Sequence, residues 1–282
     1  MSRNNEERFG PRGDAGSESP AASLPNPLDF VSPTEHVELP SRGRGYPQGH
    51  PLHNKETIEI KYMTAKEEDI LSSRSLLKKG LAIERLIESV ICDKNISARE
   101  MLVGDRNAVL ISARRSAYGN IYSTKVTCPN CATVSPSDFD LNEAKVYEGT
   151  DAEEYGIEVT PRGLFKTTLP VTNFVVEFRL LRGQDEMDIV KKSQKLSKNN
   201  ASEENVTDQL KKLIVSVNEY TEAKVINHVV KQLPAQDSIF LRGAYKQCSP
   251  DIKISEDFTC PSCGFEQELE VPFGADFFWP DR

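Results

Sequence analysis

Histidine and tryptophan are scarce in this 282-residue chain: four histidines, three of them before Lys55, and a single tryptophan, Trp279. His228, the one histidine beyond the N-terminal segment, stands in a helical NHVV stretch and reads as a partly buried helix residue. His50 and His53 lie in a Pro-rich stretch and read as part of an extended, turning connection. Three catalytic signatures are missing: G-x-x-x-x-G-K-[ST], G-x-G-x-x-G and H-E-x-x-H. Carboxylates are plentiful, yet no pair stands out as a general acid and base, so an enzyme is not expected. Long apolar runs are also missing. The best of them, LAIERLIESVI at 81–91, is broken by charges well short of a membrane span. No apolar stretch follows the polar start MSRNNEERFG, so the expectation is a chain made and kept in a reducing cytoplasm. A surplus of positive charge is lacking too. The formal net charge is −8, with Lys and Arg scattered and densest in KKSQKLSK at 191–198, which argues against nucleic acid as a partner.

What the chain does have is six cysteines. Cys92 and Cys248 each end a helical apolar pattern and read as core or near-core thiols. The other four form CPNC at 128–131 and CPSC at 260–263. In a chain without a leader, Cys-x-x-Cys pairs point to metal ligands or a redox site more than to structural disulfides. A thioredoxin-like pair would start a helix after a strand, whereas both pairs here lie between segments of period-two alternation. Such flanks suit two knuckles, each at the tip of a hairpin and each aiming two sulfurs at one centre. Cys128, Cys131, Cys260 and Cys263 then supply the four thiolates of a closed, structural zinc site, with iron as the lesser candidate. Pro129 and Pro261 favour the tight turn. Gly264 can take the positive φ that a knuckle wants after its second cysteine, whereas the first pair has Ala132 there. A clasp between residues so far apart would contribute roughly 4–5 kcal/mol by loop closure alone.

Along the chain, residues 1–35 are polar and Pro-rich and read as a disordered arm. Residues 36–63 read as extended chain leading into a strand near Thr57–Tyr62. Residues 64–147 open on the capping box T-A-K-E (Thr64, Glu67) and continue as helices closed by Gly80 and Gly119. A second box, S-A-R-E (Ser97, Glu100), lies between them, and Asp105 stands as N-cap of the last helix. IYSTKVT and ATVSPSDFDL then flank the first knuckle. Residues 148–282 run from an acidic linker to a hairpin (LFKTTLP, FVVEFRLL), then helices, the second knuckle and the aromatic end ADFFWP. The expected class is α+β, helices with short hairpins, and residues 64–282 form one zinc-clasped unit.

A shift of 132 residues carries Asp105 onto Asp237, Cys128 onto Cys260 and Cys131 onto Cys263. This is either a duplication or two knuckles meeting the same local demands; apolar positions between the anchors do not keep register. Phe277, Phe278 and Trp279 either dock into the protein's own core or anchor a partner.

EMLVGDRNAVLISARRSAYGNIYSTKVTCPNC resembles the signature of baseplate proteins of T-even-type contractile-tailed phages. LPSRGRGYPQGHPL…IEIKYMTAKEEDIL and LPAQDSIFLRGAYK…CPSCGFEQELEVP…ADFFWP are similar to members from large myophages. The resemblance runs from about His36 to Pro280. It implies a non-enzymatic role in building the baseplate hub, either as a hub assembly factor in the host cytoplasm or as a part of the virion tail. The implied partners are hub and tail-tube proteins, with no membrane and no small-molecule substrate. Asp105 and Arg106 are candidate partner contacts. A zinc-ribbon nucleic-acid-binding or transcription protein is the competing reading, although the knuckle flanks lack interleaved basic and aromatic residues.

Overall fold

The computed structural model describes residues 28, 30–149, 156–198, 205–271 and 275–278. Most of the N-terminal arm, the centre of the acidic linker and Trp279 lie outside the described residues. From Pro33 onward the chain forms one unit, in which helices are interleaved with antiparallel hairpins.

The first half begins with β1 (Thr34–Glu38), which pairs antiparallel with β2 (Thr57–Lys61), the strand anticipated near Thr57. Alternation buries Ile58 and Ile60 and leaves Thr57 and Glu59 outside. α1 (Ala65–Ser72) starts on the anticipated capping box: the Thr64 amide and hydroxyl donate to Glu67 Oε2 at 2.9 and 2.6 Å. Ser73 is extended, so the helical stretch breaks there and resumes as α2 (Arg74–Lys79). Gly80 closes α2 at φ +66°, a left-handed turn that glycine takes without steric cost. α3 (Ala82–Val90) buries Leu86, Ile87 and Val90 along one stripe, each contributing about 1.5–3 kcal/mol. α4 (Val103–Tyr118) leads into β3 (Ile121–Thr127) and β4 (Val134–Asp140), the hairpin that carries the first knuckle.

Two expectations at the start of α4 are corrected. The S-A-R-E stretch forms a turn, not a helix, because Leu102 runs extended to bridge Arg182. A tertiary contact outweighs the local capping signal. Asp105 is not the N-cap; Leu102 holds that place, and Asp105 is the third helical residue, fully buried.

β5 (Lys145–Tyr147) links the halves. The second half holds a sheet of β6 (Glu158–Val159), β7 (Phe165–Thr168), β8 (Val175–Phe178) and β9 (Ile214–Val217), in that spatial order. Between β8 and β9 lie α5 (Gly183–Lys198) and α6 (Asn205–Leu213); α7 (Ala223–Gln232) and α8 (Ala235–Cys248) follow. β10 (Asp251–Lys253) pairs with β5, and β11 (Ser255–Thr259) with β12 (Glu266–Glu270) forms the second knuckle hairpin.

These elements repeat one arrangement twice. A Leu-Pro loop separates two paired strands in each half, β1 and β2 at Leu39–Pro40 and β7 and β8 at Leu169–Pro170. A cation at or just past the end of the second strand reaches the acid at the third position of the next helix: Lys61 to Glu67 (2.8 Å) and Arg179 to Asp185 (2.7 and 2.8 Å). That strand then meets a later one, through the Ile60–Ile91 bridge and the Phe178–Ile214 pair. The Asp at the third position of the last helix grips the Leu-Pro loop. Asp105 accepts from the Ser41 amide and hydroxyl, and Asp237 from the Val171 amide and the Thr172 amide and hydroxyl. The knuckle hairpin follows in both. Two copies of one topological unit therefore account for the 132-residue shift, which the apolar positions alone left open.

The core falls into two clusters. One gathers Leu86, Ile87, Val109, Tyr122 and Phe139 of the first half with Phe258, Val271 and Phe277 of the second. The other, around Val176, Phe178, Leu213 and Leu241, lies within the second half. The second knuckle hairpin is thus packed into the core of the first half.

Candidate metal centre

Both knuckles are built from the same backbone bonds. In the first, the Cys128 amide donates to Thr133 O (2.9 Å) and the Ala132 amide to Cys128 O (2.9 Å). In the second, the Cys260 amide donates to Phe265 O (2.8 Å) and the Gly264 amide to Cys260 O (3.0 Å). Each turn needs a left-handed residue after its second cysteine. Gly264 takes φ +68° freely, but Ala132 is forced to φ +56°, where its Cβ is disfavoured.

The packing of the second hairpin against the first brings the four sulfurs together. All lie within 4.8 Å of one another. Cys128 Sγ is 3.8 Å from Cys263 Sγ, and Cys131 Sγ is 3.6 Å from Cys260 Sγ. A tetrahedron with metal–sulfur bonds of about 2.3 Å has edges of about 3.8 Å, so the cluster has the size that a tetrathiolate ion requires. The first cysteine of each pair, Cys128 and Cys260, is buried, and the second, Cys131 and Cys263, is exposed. The site therefore has an inner and an outer side.

The thiols are tuned in opposite senses. Burial pushes Cys128 up to about 11. The Thr133 hydroxyl, 3.2 Å from Cys131 Sγ, and the Thr133 amide stabilise the Cys131 thiolate and hold its pKa down at about 6. The Asn130 side-chain amide lies 3.6 Å from Cys263 Sγ, so the first knuckle also supports the second knuckle's exposed sulfur. Four thiolates around one cation leave no position for water, so the chemistry such a centre offers is structural. Cys248, by contrast, is a buried thiol pushed up to about 12 by desolvation, and Cys92 is half-buried and also raised.

The Gly-Asp-Arg-Asn run opening α4 is a junction of segments. A Cβ on Gly104 would fall 1.9 Å from Pro250 O, so only glycine lets the chain ahead of β10 pass this close. Asp105 Oδ2 accepts from the Ser41 hydroxyl (2.6 Å) and the Tyr46 hydroxyl (2.7 Å), while the Tyr46 oxygen accepts from the Leu102 amide (2.8 Å). Burial raises Asp105 above the usual carboxylate range, against the pull of these donors. Arg106 is buried and pairs with Glu186 of α5. Asn107 Nδ2 donates to Asp251 Oδ1 (3.0 Å).

The sequence model of the family described as T4 bacteriophage base plate protein matches residues 33–279. The chain belongs to that family. The match takes in both knuckles, the Gly-Asp-Arg-Asn junction and the C-terminal aromatics. No curated protein and no solved structure gave a match. As a base plate protein the chain is assigned to the phage tail, and among its described residues no helix is long and apolar enough to cross a membrane.

In this base plate protein, Asp105, Arg106, Phe277 and Phe278 all lie inside the fold. The two phenylalanines belong to the short 3-10 helix Ala275–Phe278. Phe277 meets Tyr122 edge-on at 5.1 Å, and its carbonyl accepts from Arg114 Nε at 2.9 Å. Arg114 is itself buried, with its guanidinium 4.9 Å from the Tyr118 ring. Sequence reasoning missed Arg114, Ser41, Tyr46 and Glu186. The Leu-Pro dipeptides, one ahead of each of the two aspartates, were the available signal for the loop contacts.

Proposed function

We propose that this base plate protein is a structural or assembly component of the baseplate hub, working through contacts with hub and tail-tube proteins, with one zinc ion clasping its two halves. The observation that carries the clasp is the convergence, within 4.8 Å, of four thiols from two hairpins 132 residues apart in sequence. Zinc suits the all-sulfur donor set, the tetrahedral spacing and the absence of an open coordination position, and it needs no redox partner. The hub role rests on the family match and on the resemblance of the motifs to those of T-even-type phages. Assembly takes place in the host cytoplasm before or as the protein enters the tail.

The exposed side of the second knuckle hairpin supports protein partners over nucleic acid. Asp257, Glu266 and Glu268 face solvent there, and a phosphate backbone would be repelled by them. Mass spectrometry of purified virions, with co-purification of tail proteins from infected cells, tests the role. Recovery with hub proteins is the expected result. Tails that assemble normally without the protein, together with no association with any tail component, would end the proposal. Elemental analysis of the purified chain should find one zinc per molecule.

A further inference from the structure

The two exposed sulfurs of the cluster each meet a side-chain donor, and both donors belong to the first knuckle. The Thr133 hydroxyl lies 3.2 Å from Cys131 Sγ. The Asn130 Nδ2 amide lies 3.6 Å from Cys263 Sγ and so crosses from one hairpin to the other. A shift of 132 residues places Ser262 and Phe265 at the equivalent positions of the second knuckle. The Phe265 side chain has no donor to offer; it is half-buried and packs against the cluster that holds the first-half core. Two turns with the same backbone bonds therefore differ in what their side chains do.

Inner and outer sulfurs face different hazards. Cys128 and Cys260 are 1% and 2% exposed, so packing keeps water and competing ligands away from them. Cys131 and Cys263 are exposed. A tetrathiolate centre binds its ion through deprotonated sulfurs, so it opens when one of them is lost to a proton or to a competitor. A donor bonded to a thiolate draws charge from it, and bonds to an ionised acceptor are stronger than those to a neutral one. Such a donor opposes both protonation of the sulfur and its outward swing. The Asn130 bond has a further effect, because it ends on the other hairpin. Cys263 cannot leave the cluster without breaking it.

We propose that Asn130 and Thr133 are positioning residues of the metal centre: their side chains hold the two exposed thiolates in place and set how long the bound ion is retained. The first knuckle then governs metal release for both. This rests on the zinc clasp proposed above and names the residues that guard its open side. The turns themselves are kept by backbone amides and carbonyls, which side-chain substitutions at 130 and 133 leave in place.

The test uses the full-length protein purified with zinc and follows transfer of the ion to excess chelator with a chromophoric indicator. Thr133→Val and Asn130→Ala should each release zinc about tenfold faster than the parent, the scale on which residues hydrogen-bonded to metal ligands act. Thr133→Ser restores the hydroxyl and should release at the parent rate, as should Ser262→Ala in the second knuckle. Cobalt in place of zinc gives a second readout, one that a loss of fold stability would not move. The sulfur-to-cobalt charge-transfer band should shift to lower energy in Thr133→Val and Asn130→Ala, and stay in place in Thr133→Ser and Ser262→Ala. If the parent carries one zinc and both first-knuckle variants match it in rate and band, the proposal is overturned and the clasp stands. An equal effect of Ser262→Ala would overturn it too. A parent that binds neither zinc nor cobalt would remove the clasp itself, and this proposal with it.

Discussion

The first half of the protein buries nine of the 16 residues of α4, whereas the second buries four of the 14 residues of α8, although the two helices hold the same place in the repeated unit. Part of the difference lies in the first turn. Gly104, Asp105, Arg106 and Asn107 correspond to Gln236, Asp237, Ser238 and Ile239. Only the aspartate is kept, and in both halves it holds a Leu-Pro loop. The unit itself thus needs the aspartate. The glycine, arginine and asparagine serve the union of the halves, since each touches a segment of the second half: Pro250, Glu186 and Asp251. Ile239, with no such duty, stays 61% exposed.

The four-cysteine cluster gives the strongest way to break this comparison. With one ion joining both knuckles, as proposed, removing one cysteine from either, Cys128→Ala or Cys260→Ala, should cost the same. The loss should be several kcal/mol, and on the order of 10 kcal/mol for complete metal removal, read as zinc content and as the fall in Tm. Unequal effects, or two ions per chain, would mean two separate sites.

Next is the close approach at Gly104. Gly104→Ala should destabilise by about 3 kcal/mol in denaturant titration, because Pro250 must move. Gln236→Ala at the equivalent, exposed position should fall within about 0.5 kcal/mol of the parent. The aspartates should differ less. Asp105→Ala leaves the Ser41 and Tyr46 hydroxyls without their acceptor inside the core and should cost about 3 kcal/mol. Asp237→Ala strands donors nearer to water and should cost about 1–2 kcal/mol.

Glu67 offers a pH test. Burial pushes its carboxyl up, but Lys61, Ser89 and the Thr64 hydroxyl and amide outweigh this and hold it down at about 2. A carboxyl whose pKa is lowered by folding stabilises the native state above its unfolded value and loses that stabilisation as pH falls through the folded one. Glu67→Gln should therefore cost about 2 kcal/mol at pH 7, and the gap to the parent should close between about pH 4.5 and 2. Its second-half counterpart Asp185, also lowered and gripped by Arg179, should behave alike. The smallest effect concerns the knuckle turns. Ala132→Gly should stabilise by roughly 1 kcal/mol by relieving a left-handed alanine, and Gly264→Ala should do the reverse.

The features that were legible in the sequence are those set by neighbours along the chain. The Thr64–Glu67 box, the glycine closures at 80 and 119 and the alternation around both CPxC turns depend on residues within a few positions of one another. The two cysteine pairs could be joined because sulfur has few other uses at that spacing. What did not show were the contacts made by folding over distance. Asp105 carries a capping residue's chemistry, yet its donors lie 59 and 64 residues upstream. Ser97 and Glu100 have the letters of a cap but lie in a turn, because Leu102 just after them runs extended to bridge Arg182. The repeat was half visible through its shared anchors. Its loops differ in length, which spoils any fixed shift upstream of Asp105.

The order in which the sulfurs are made has a consequence for synthesis. Cys128 and Cys131 leave the ribosome first, and Cys260 and Cys263 follow 132 residues later, a delay of roughly ten seconds at usual elongation rates. During that interval the first hairpin holds only half of the four-sulfur cluster. The four-sulfur cluster comes into being only after residue 263 has been added. A chain truncated before residue 260 can never complete it, so the cluster separates chains that carry both hairpins from those that carry only the first.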